Sequence, residues 1–454
     1  MKMTLYTGAA VAALFVAGAG SSLAGGHLQF APGEGEFNWD SFNEFAASND
    51  LSGQTINIFG PWRGDDQALA EGMLAYFAEA TGVEINYSSS ESYEQQIVID
   101  TEAGSPPDVA VLPQPGLIQN LISKGFVSPL GDEAGQWMED NYAAGASWRG
   151  IGTFTGPDGN EEFYAFPYKA DVKSLVWYIP DNFDDFGYDI PSTQEELRAL
   201  EQQIVDEGGT PWCIGLASGG ATGWPATDWM EDLMLRTHPP EVYDLWVSNE
   251  MPFNDPRVIE VMNAFGDVAR NDSLVVGGSE GVASIDFRES PDGMFSSPPQ
   301  CFMHRQASFI PTFFPEGTEI GVDADFFYFP PAGGADLGNP VLGAGTLVFI
   351  TNDTPASRAF IEWLKTPIAH EVWMARSGFL TPHSGINPDL FGDPTLRKMN
   401  DILLNATTFR FDGSDLMPAG VGAGSFWTGM IDYVGGKSAE EVTAEIQSSW
   451  DALK

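Results

Sequence analysis

Several stretches of the sequence hold residue types that do chemistry elsewhere, and each fails on spacing or context. Gly277-Gly278-Ser279-Glu280-Gly281 matches the G-x-S-x-G elbow that lifts a nucleophilic serine between a strand and a helix. "SLVV" supplies a strand before it, but "VASIDFRESPDG" reads poorly as a helix, so a glycine-rich surface loop is expected. Gly435-Gly436-Lys437-Ser438 imitates the end of a phosphate loop. That pattern needs glycine where Ile431 stands and a strand where the sequence reads as helix, so a helix stop followed by a cap is expected. "HEVWM" at 370–374 opens like a zinc-binding helix but lacks the second histidine. The 5 histidines and 2 cysteines form no ligand spacing, so neither a metal site nor a cofactor site is read. With 64 Asp and Glu in the chain, a carboxylate pair for glycoside hydrolysis is always at hand and says little.

A more informative pattern is a set of aromatic residues placed where the backbone turns. Residues 219–229 read G-G-A-T-G-W-P-A-T-D-W, so Trp224 and Trp229 sit among Gly, Pro and Thr with Asp228 beside them. Trp62 follows Gly60-Pro61 and precedes Arg63-Gly64-Asp65. Phe313 and Phe314 lie in "IPTFFP", and Trp427 in "MPAGVGAGSFWTG". Sugar rings present an apolar C–H face and a fringe of hydroxyls. An indole offers a flat surface to the face, while Asp, Arg and Gln bind the hydroxyls. Any one tryptophan is more often core than platform. Their repeated placement beside charged residues in Gly/Pro segments points to a carbohydrate pocket.

The elements that would position these residues follow from periodicity. "TINIFG" reads as a buried strand running into the loop "PWRGDD". "DDQALAEGMLAYFAEATG" is a helix with Leu69, Met73 and Phe77 on one face and Gly82 as its stop. "VEINY" and "PPDVAVL" are further strands, and "PGLIQNLISKG" a further helix. Strand and helix alternating in this way indicate parallel α/β units. "TGPDGNEEFYAFP" reads as a hairpin with an Asp-Gly turn. "STQEELRALEQQIVDEGG" is a helix capped by Ser192 or Thr193. "TPASRAFIEWLKTP" is capped by Thr354 with Pro355 at its first position, and "GGKSAEEVTAEIQSSWDALK" opens on a Ser438-x-x-Glu441 capping box. Residues 27–50 are polar and glycine-rich and are expected to be a leader that orders late. No repeat or low-complexity linker separates two halves.

At 454 residues the chain exceeds one comfortable core and implies two lobes or more. Its formal charge is -44, spread along the sequence, which excludes nucleic acid and anionic membrane surfaces as electrostatic partners. Met1-Lys2, the apolar run "AAVAALFVAGAG" and the small residues Ser22-Leu23-Ala24 read as a secretory signal peptide over 1–24, too short for a spanning helix. A soluble, exported protein is expected. In an oxidising compartment Cys213 and Cys301 are expected to form a disulfide, with two buried thiols as the alternative.

The ordered set "FAEATGVEINY", "SPPDVAVL", "GFVSPL", "FPYKADVKSLVWY", "STQEELRAL", "SRAFIEWLKTPIAHEVWMARSGFLTP" and "DLMPAGVGAGSFWTGM" resembles the extracellular solute-binding proteins of ABC sugar transporters. The likeness is to the cluster containing the maltose-binding protein, and within it to α-glucoside-binding components. It implies an α/β fold of two lobes, 25–169 with 328–384 and 170–327 with 385–454, joined by crossing hinge strands and closing on a ligand cleft. It further implies a periplasmic monomer, not an enzyme, that hands a sugar to a membrane permease powered by a separate ATPase. On the family pattern Trp427 falls at the stacking tryptophan and Asp171 at a hinge-side acidic ligand. Trp62, Arg63 and Asp65 fall in the first strand–helix loop, and Phe313 near a second platform. Trp224, Asp228 and Trp229 fall at a third. One departure is visible. Where the maltose binder has an Asp-Arg pair after its third strand, this sequence has Gln114 followed by Pro115-Gly116, which favours a shorter or different glucoside with Arg63 and Asp65 supplying charged contacts. Two other readings stay open: a secreted glycoside hydrolase, and the same fold holding a cationic small molecule such as a polyamine.

Overall fold

A computed structural model describes residues 21–23, 28–142, 145–332, 337–376, 379–391, 394–404 and 406–453. Most of the expected signal peptide over 1–24 lies outside these residues.

The first half of the fold is the α/β alternation read from the sequence. Strand Thr55–Phe59 lies parallel to both Glu84–Ser88 and Val109–Leu112. Helices Asp65–Thr81, Tyr93–Glu102 and Pro115–Ser123 follow these strands in turn. Gly82 adopts the left-handed conformation, φ 72°, and stops the first helix by donating to the Ala78 carbonyl. The sheet continues into Pro340–Ile350, an 11-residue strand buried along its whole length. Its C-terminal end runs antiparallel to Val109–Leu112, while Ala165–Val172 pairs along its other edge. Strand Thr408–Phe411 pairs with its N-terminal end.

A second sheet of three strands orders Asp325–Tyr328, Leu175–Tyr178 and Met303–Arg305. The chain therefore passes from the large sheet to the small one at Val172–Leu175 and returns between Tyr328 and Pro340. These two crossings are sealed at Lys173, whose N–H donates to the Leu342 carbonyl at 2.8 Å. Next to it the Ser174 hydroxyl accepts from the Leu342 N–H at 2.9 Å and donates to Asp232 at 2.9 Å. Asp232 is itself held by Arg236 at 2.9 Å and Arg305 at 2.8 Å. Helix Trp224–Thr237 thus packs its charged face inward on the crossing, with Asp228 and Asp232 ion-paired and Glu231 accepting from the Gly413 and Ser414 N–H groups.

The remaining caps and turns agree with the sequence pattern. Thr193 caps Gln194–Asp206, Thr354 caps Pro355–Leu364, and the Ser438–Glu441 box opens Ala439–Asp451. Thr153–Thr155 and Glu161–Phe163 form the hairpin. Cys213 and Cys301 are joined, with Cα atoms 5.5 Å apart. Two expectations are corrected. The supposed leader contains helix Trp39–Ser48, whose Trp39, Phe42 and Phe45 are buried. Phe42 and Phe45 meet the Trp363 ring edge-on, so a short apolar stripe outweighs the polar composition. The segment around Ser279 is a short helix, Gly278–Ser284, rather than a loop. Gly277 and Gly278 take positive φ at its start, conformations that glycine alone adopts cheaply. Among the described residues no helix is long and apolar enough to cross a membrane.

Candidate ligand-binding site

The strand–helix loops of the first lobe all open toward one side, as expected at the carboxyl ends of parallel strands. There they face the second lobe across a cavity of about 1020 Å³, its open mouth included. The first lobe contributes Trp62, Arg63 and Asp66 from one strand–helix junction, Ser90, Glu91, Tyr93 and Glu94 from the next, and Gln114 from the third. The floor is the crossing itself. Lys169, Asp171 and Lys173 recur at the two-residue period of a strand and so share a face, beside Gly345 and Thr346. The second lobe adds Trp224, Phe287, Arg288, Phe309, Phe313, Asp412, Asp415 and Trp427.

Aromatic residues form both walls. On the second lobe the Phe287 ring meets Trp224 edge-on at 4.9 Å and Phe313 at 5.8 Å. The Arg288 guanidinium lies 4.3 Å over Phe287, and the Lys173 ammonium lies 5.2 Å over Trp224. On the first lobe Trp62 stacks on Tyr87 at 6.2 Å and is wedged by the edge of Trp373 at 5.1 Å. Trp427 begins helix Trp427–Val434 directly after a π-helical turn, Val421–Phe426, a distortion that often marks functional sites. Gly223 has φ 112°, and a Cβ there would stand 2.2 Å from the Trp427 carbonyl oxygen. Glycine at 223 therefore lets the starts of two helices touch, which brings Trp224 and Trp427 to the same cavity.

Polar atoms in the walls are short of partners. Asp66 Oδ1, Ser90 Oγ, Glu94 Oε2, Gln114 Oε1, Thr346 Oγ1 and Trp427 Nε1 are buried with no hydrogen-bond partner among the described residues. Burial without pairing is costly, and its concentration around one cavity indicates a ligand rich in hydrogen-bonding groups. Burial raises the Asp66 carboxyl to about 6 against the pull of Lys169 and Glu94 to about 7. Beneath them Lys173 binds Asp228 at 2.8 Å and also Asp412. Burial alone would discharge this lysine, but Asp228, Asp412, Asp415 and Glu231 outweigh it and hold it firmly protonated. For Asp412 burial is likewise outweighed by Lys173, which keeps its value at about 2. Burial and the neighbouring carboxylates push Glu231 and Asp415 well above the usual carboxylate range. Asp228, Glu231 and Asp412 lie close enough to hold a metal ion, but Lys173 already supplies the cation there.

Of the residues proposed from sequence, Trp62, Arg63, Gln114, Asp171, Trp224, Phe313 and Trp427 line the cavity. Three do not, and their roles are corrected. Asp65 is exposed while its neighbour Asp66 faces in, because successive helical residues point about 100° apart. Asp228 lies behind the wall and acts on Lys173. Trp229 is 3 % exposed and packs in the second-lobe core against Trp212 at 5.1 Å and Phe329 at 5.5 Å. Phe314, the alternative to Phe313, is buried against Trp177 at 5.5 Å. Sequence reading missed Tyr93, Glu94, Lys169, Lys173, Phe287, Arg288, Phe309, Asp412 and Asp415. The period-two run Lys169-x-Asp171-x-Lys173 is a signal that could have found its members. "DGSDL" offers nothing that separates Asp412 and Asp415 from other surface acids.

An aromatic cleft between two lobes, floored by crossing strands, defines a two-lobed solute receptor. Residues 60–371 match the bacterial extracellular solute-binding protein family, and the chain belongs to it; it is a receptor and not an enzyme. It is 63% identical over 458 residues, spanning 100% of both chains, to the Alpha-glucosides-binding periplasmic protein AglE of Rhizobium meliloti. It is 39% identical over 403 residues to the osmoprotective compounds-binding protein GgtB of Synechocystis sp., across 89% of this chain and 94% of that one. Among solved structures, the bacterial solute receptor AcbH, described as preferring b-D-galactopyranose, superposes with a TM-score of 0.73 at 16% identity, across 87% of this chain and 97% of that one. At that identity the likeness speaks for the fold alone.

Proposed function

We propose that this chain is the periplasmic receptor of an ABC importer, that it captures an α-glucoside of about disaccharide size, and that it delivers the sugar to a membrane permease served by a separate ATPase. The observation that carries the ligand class is the union of aromatic walls with a fringe of unpartnered polar atoms in one cavity. Full-length similarity to an α-glucoside-binding protein supports the same reading. The signal-peptide pattern over 1–24 supports export, and the chain is taken to act as a monomer. The two strand crossings support lobes of 25–169 with 328–384 and of 170–327 with 385–454. A sugar that contacts both lobes stabilises the closed arrangement by its differential affinity for it, and the closed form is the one presented to the permease.

The test is a ligand-shift screen of the purified chain with maltose, sucrose, trehalose, a β-linked disaccharide and a polyamine. A ligand at about 100 times its Kd adds about 2.7 kcal/mol to stability. An α-glucoside is expected to raise the melting temperature without releasing glucose. A shift with the polyamine alone would move the assignment to a cationic ligand.

A further inference from the structure

The first-lobe wall of the cavity carries two buried acceptor oxygens at Glu94 and Gln114. Glu94 stands in the first turn of helix Tyr93–Glu102 and is buried. Its Oε1 accepts from Gln114 Nε2 at 3.4 Å. An ionised carboxylate only accepts, so this contact fixes the Gln114 amide with its NH2 toward Glu94 and its carbonyl oxygen free. Gln114 Oε1 and Glu94 Oε2 are both buried without a hydrogen-bond partner among the described residues. Besides the second Gln114 N–H, the pair offers the cavity two acceptor oxygens.

We propose that Glu94 and Gln114 form an acceptor pair that reads two hydroxyl donors of the bound sugar, and that Glu94 must be ionised to do so. This rests on the sugar reading above and adds the proton chemistry of one wall. The charged and titratable groups facing Glu94 are the adjoining Tyr93 phenol, which hydrogen-bonds within the pair and favours the ionised form, Asp415 of the short helix Gly413–Leu416, and Arg288 from the second lobe. Burial dominates them and places the Glu94 carboxyl at about 7, so near neutral pH the empty site holds a mixture of both forms. A protonated Glu94 becomes a donor, the Gln114 amide is free to reverse, and the two-acceptor pattern is lost. A sugar hydroxyl donating to the carboxylate makes a charge-assisted bond that favours the ionised form. Binding therefore expels the Glu94 proton to solvent, and affinity rises with pH through this range.

Calorimetric titration of the full chain at pH 7, in two buffers of contrasting ionisation enthalpy, reads the expelled proton directly. The titrant is whichever of maltose, sucrose or trehalose binds. About half a proton is expected to leave per sugar bound, and affinity is expected to fall by up to about tenfold per pH unit below that point. Glu94→Gln should remove most of the release at pH 7, whereas Asp65→Asn, exposed and outside the cavity, should leave it in place. Equal heats in both buffers for the unaltered chain would overturn the inference whether or not the variant folds. Release that persists at the parent's level in Glu94→Gln, or vanishes in Asp65→Asn, would overturn it as well. Failure of every sugar to bind at any pH strikes the sugar reading itself.

Discussion

Lys173 carries more of the site than any residue that touches only solvent. It leaves the crossing strand, bridges Asp228 and Asp412, and lies over the Trp224 ring. Removing one member of a buried ion network leaves the others uncompensated. Lys173→Met is therefore expected to cost about 3–5 kcal/mol of folding stability, measured by urea unfolding, and to weaken ligand binding in whatever fraction folds. Glu94 is predicted to behave oppositely. Its folded-state value is raised to about 7, so its contribution is fully present below the ordinary value near 4.5 and is lost as pH rises toward 7. At pH 8 the ligand-free Glu94→Gln chain should thus be more stable than the parent, by up to about 3 kcal/mol, and the difference should vanish near pH 4. A melting series across pH reads the sign. Residue roles were the least legible level of the sequence. Trp224 and Trp229 share composition and neighbours, yet one faces the cavity and the other is sealed against Trp212. Five positions on a helix turn a side chain by about 500°, so the two point roughly 140° apart. Which direction is inward depends on the partner surface, and no local signal carries that.

At the scale of elements, the strand–helix alternation and the caps were readable because each depends on neighbours within a turn. The helix Trp39–Ser48 was not, since its face is justified only by distant rings such as Trp363. Contacts between elements distant in sequence, within a lobe and across lobes, were equally hidden, and glycines mark them. A Cβ on Gly223 would meet the Trp427 carbonyl, and one on Gly116 would stand 1.8 Å from the Met417 carbonyl. Gly223→Ala adds a positive-φ penalty to that collision, so it should displace Trp427 and cost about 1–3 kcal/mol in stability. Gly116→Ala lies at ordinary φ and should act on closure, lowering ligand affinity severalfold with little change in the melt of the ligand-free chain. Parallel calorimetry and thermal melts separate the two effects.

For the whole molecule, the two-lobed plan followed from the order of many weak segments and not from any single motif. The cavity, by contrast, is assembled from loops, helix starts and crossing strands between residues 61 and 427, and only the folded chain brings them together. Its surplus of acids suits a receptor whose partner is neutral, because pairing within the walls and partial protonation remove much of the local field. The account stands on a sugar held against Trp427 between the lobes. Calorimetric titration of an α-glucoside into the parent chain, Trp427→Ala and Trp229→Phe tests it most directly. A loss of about 2 kcal/mol or more in Trp427→Ala, with affinity kept in Trp229→Phe, is the predicted result. Unchanged affinity in Trp427→Ala, for a sugar the parent chain binds, would contradict it.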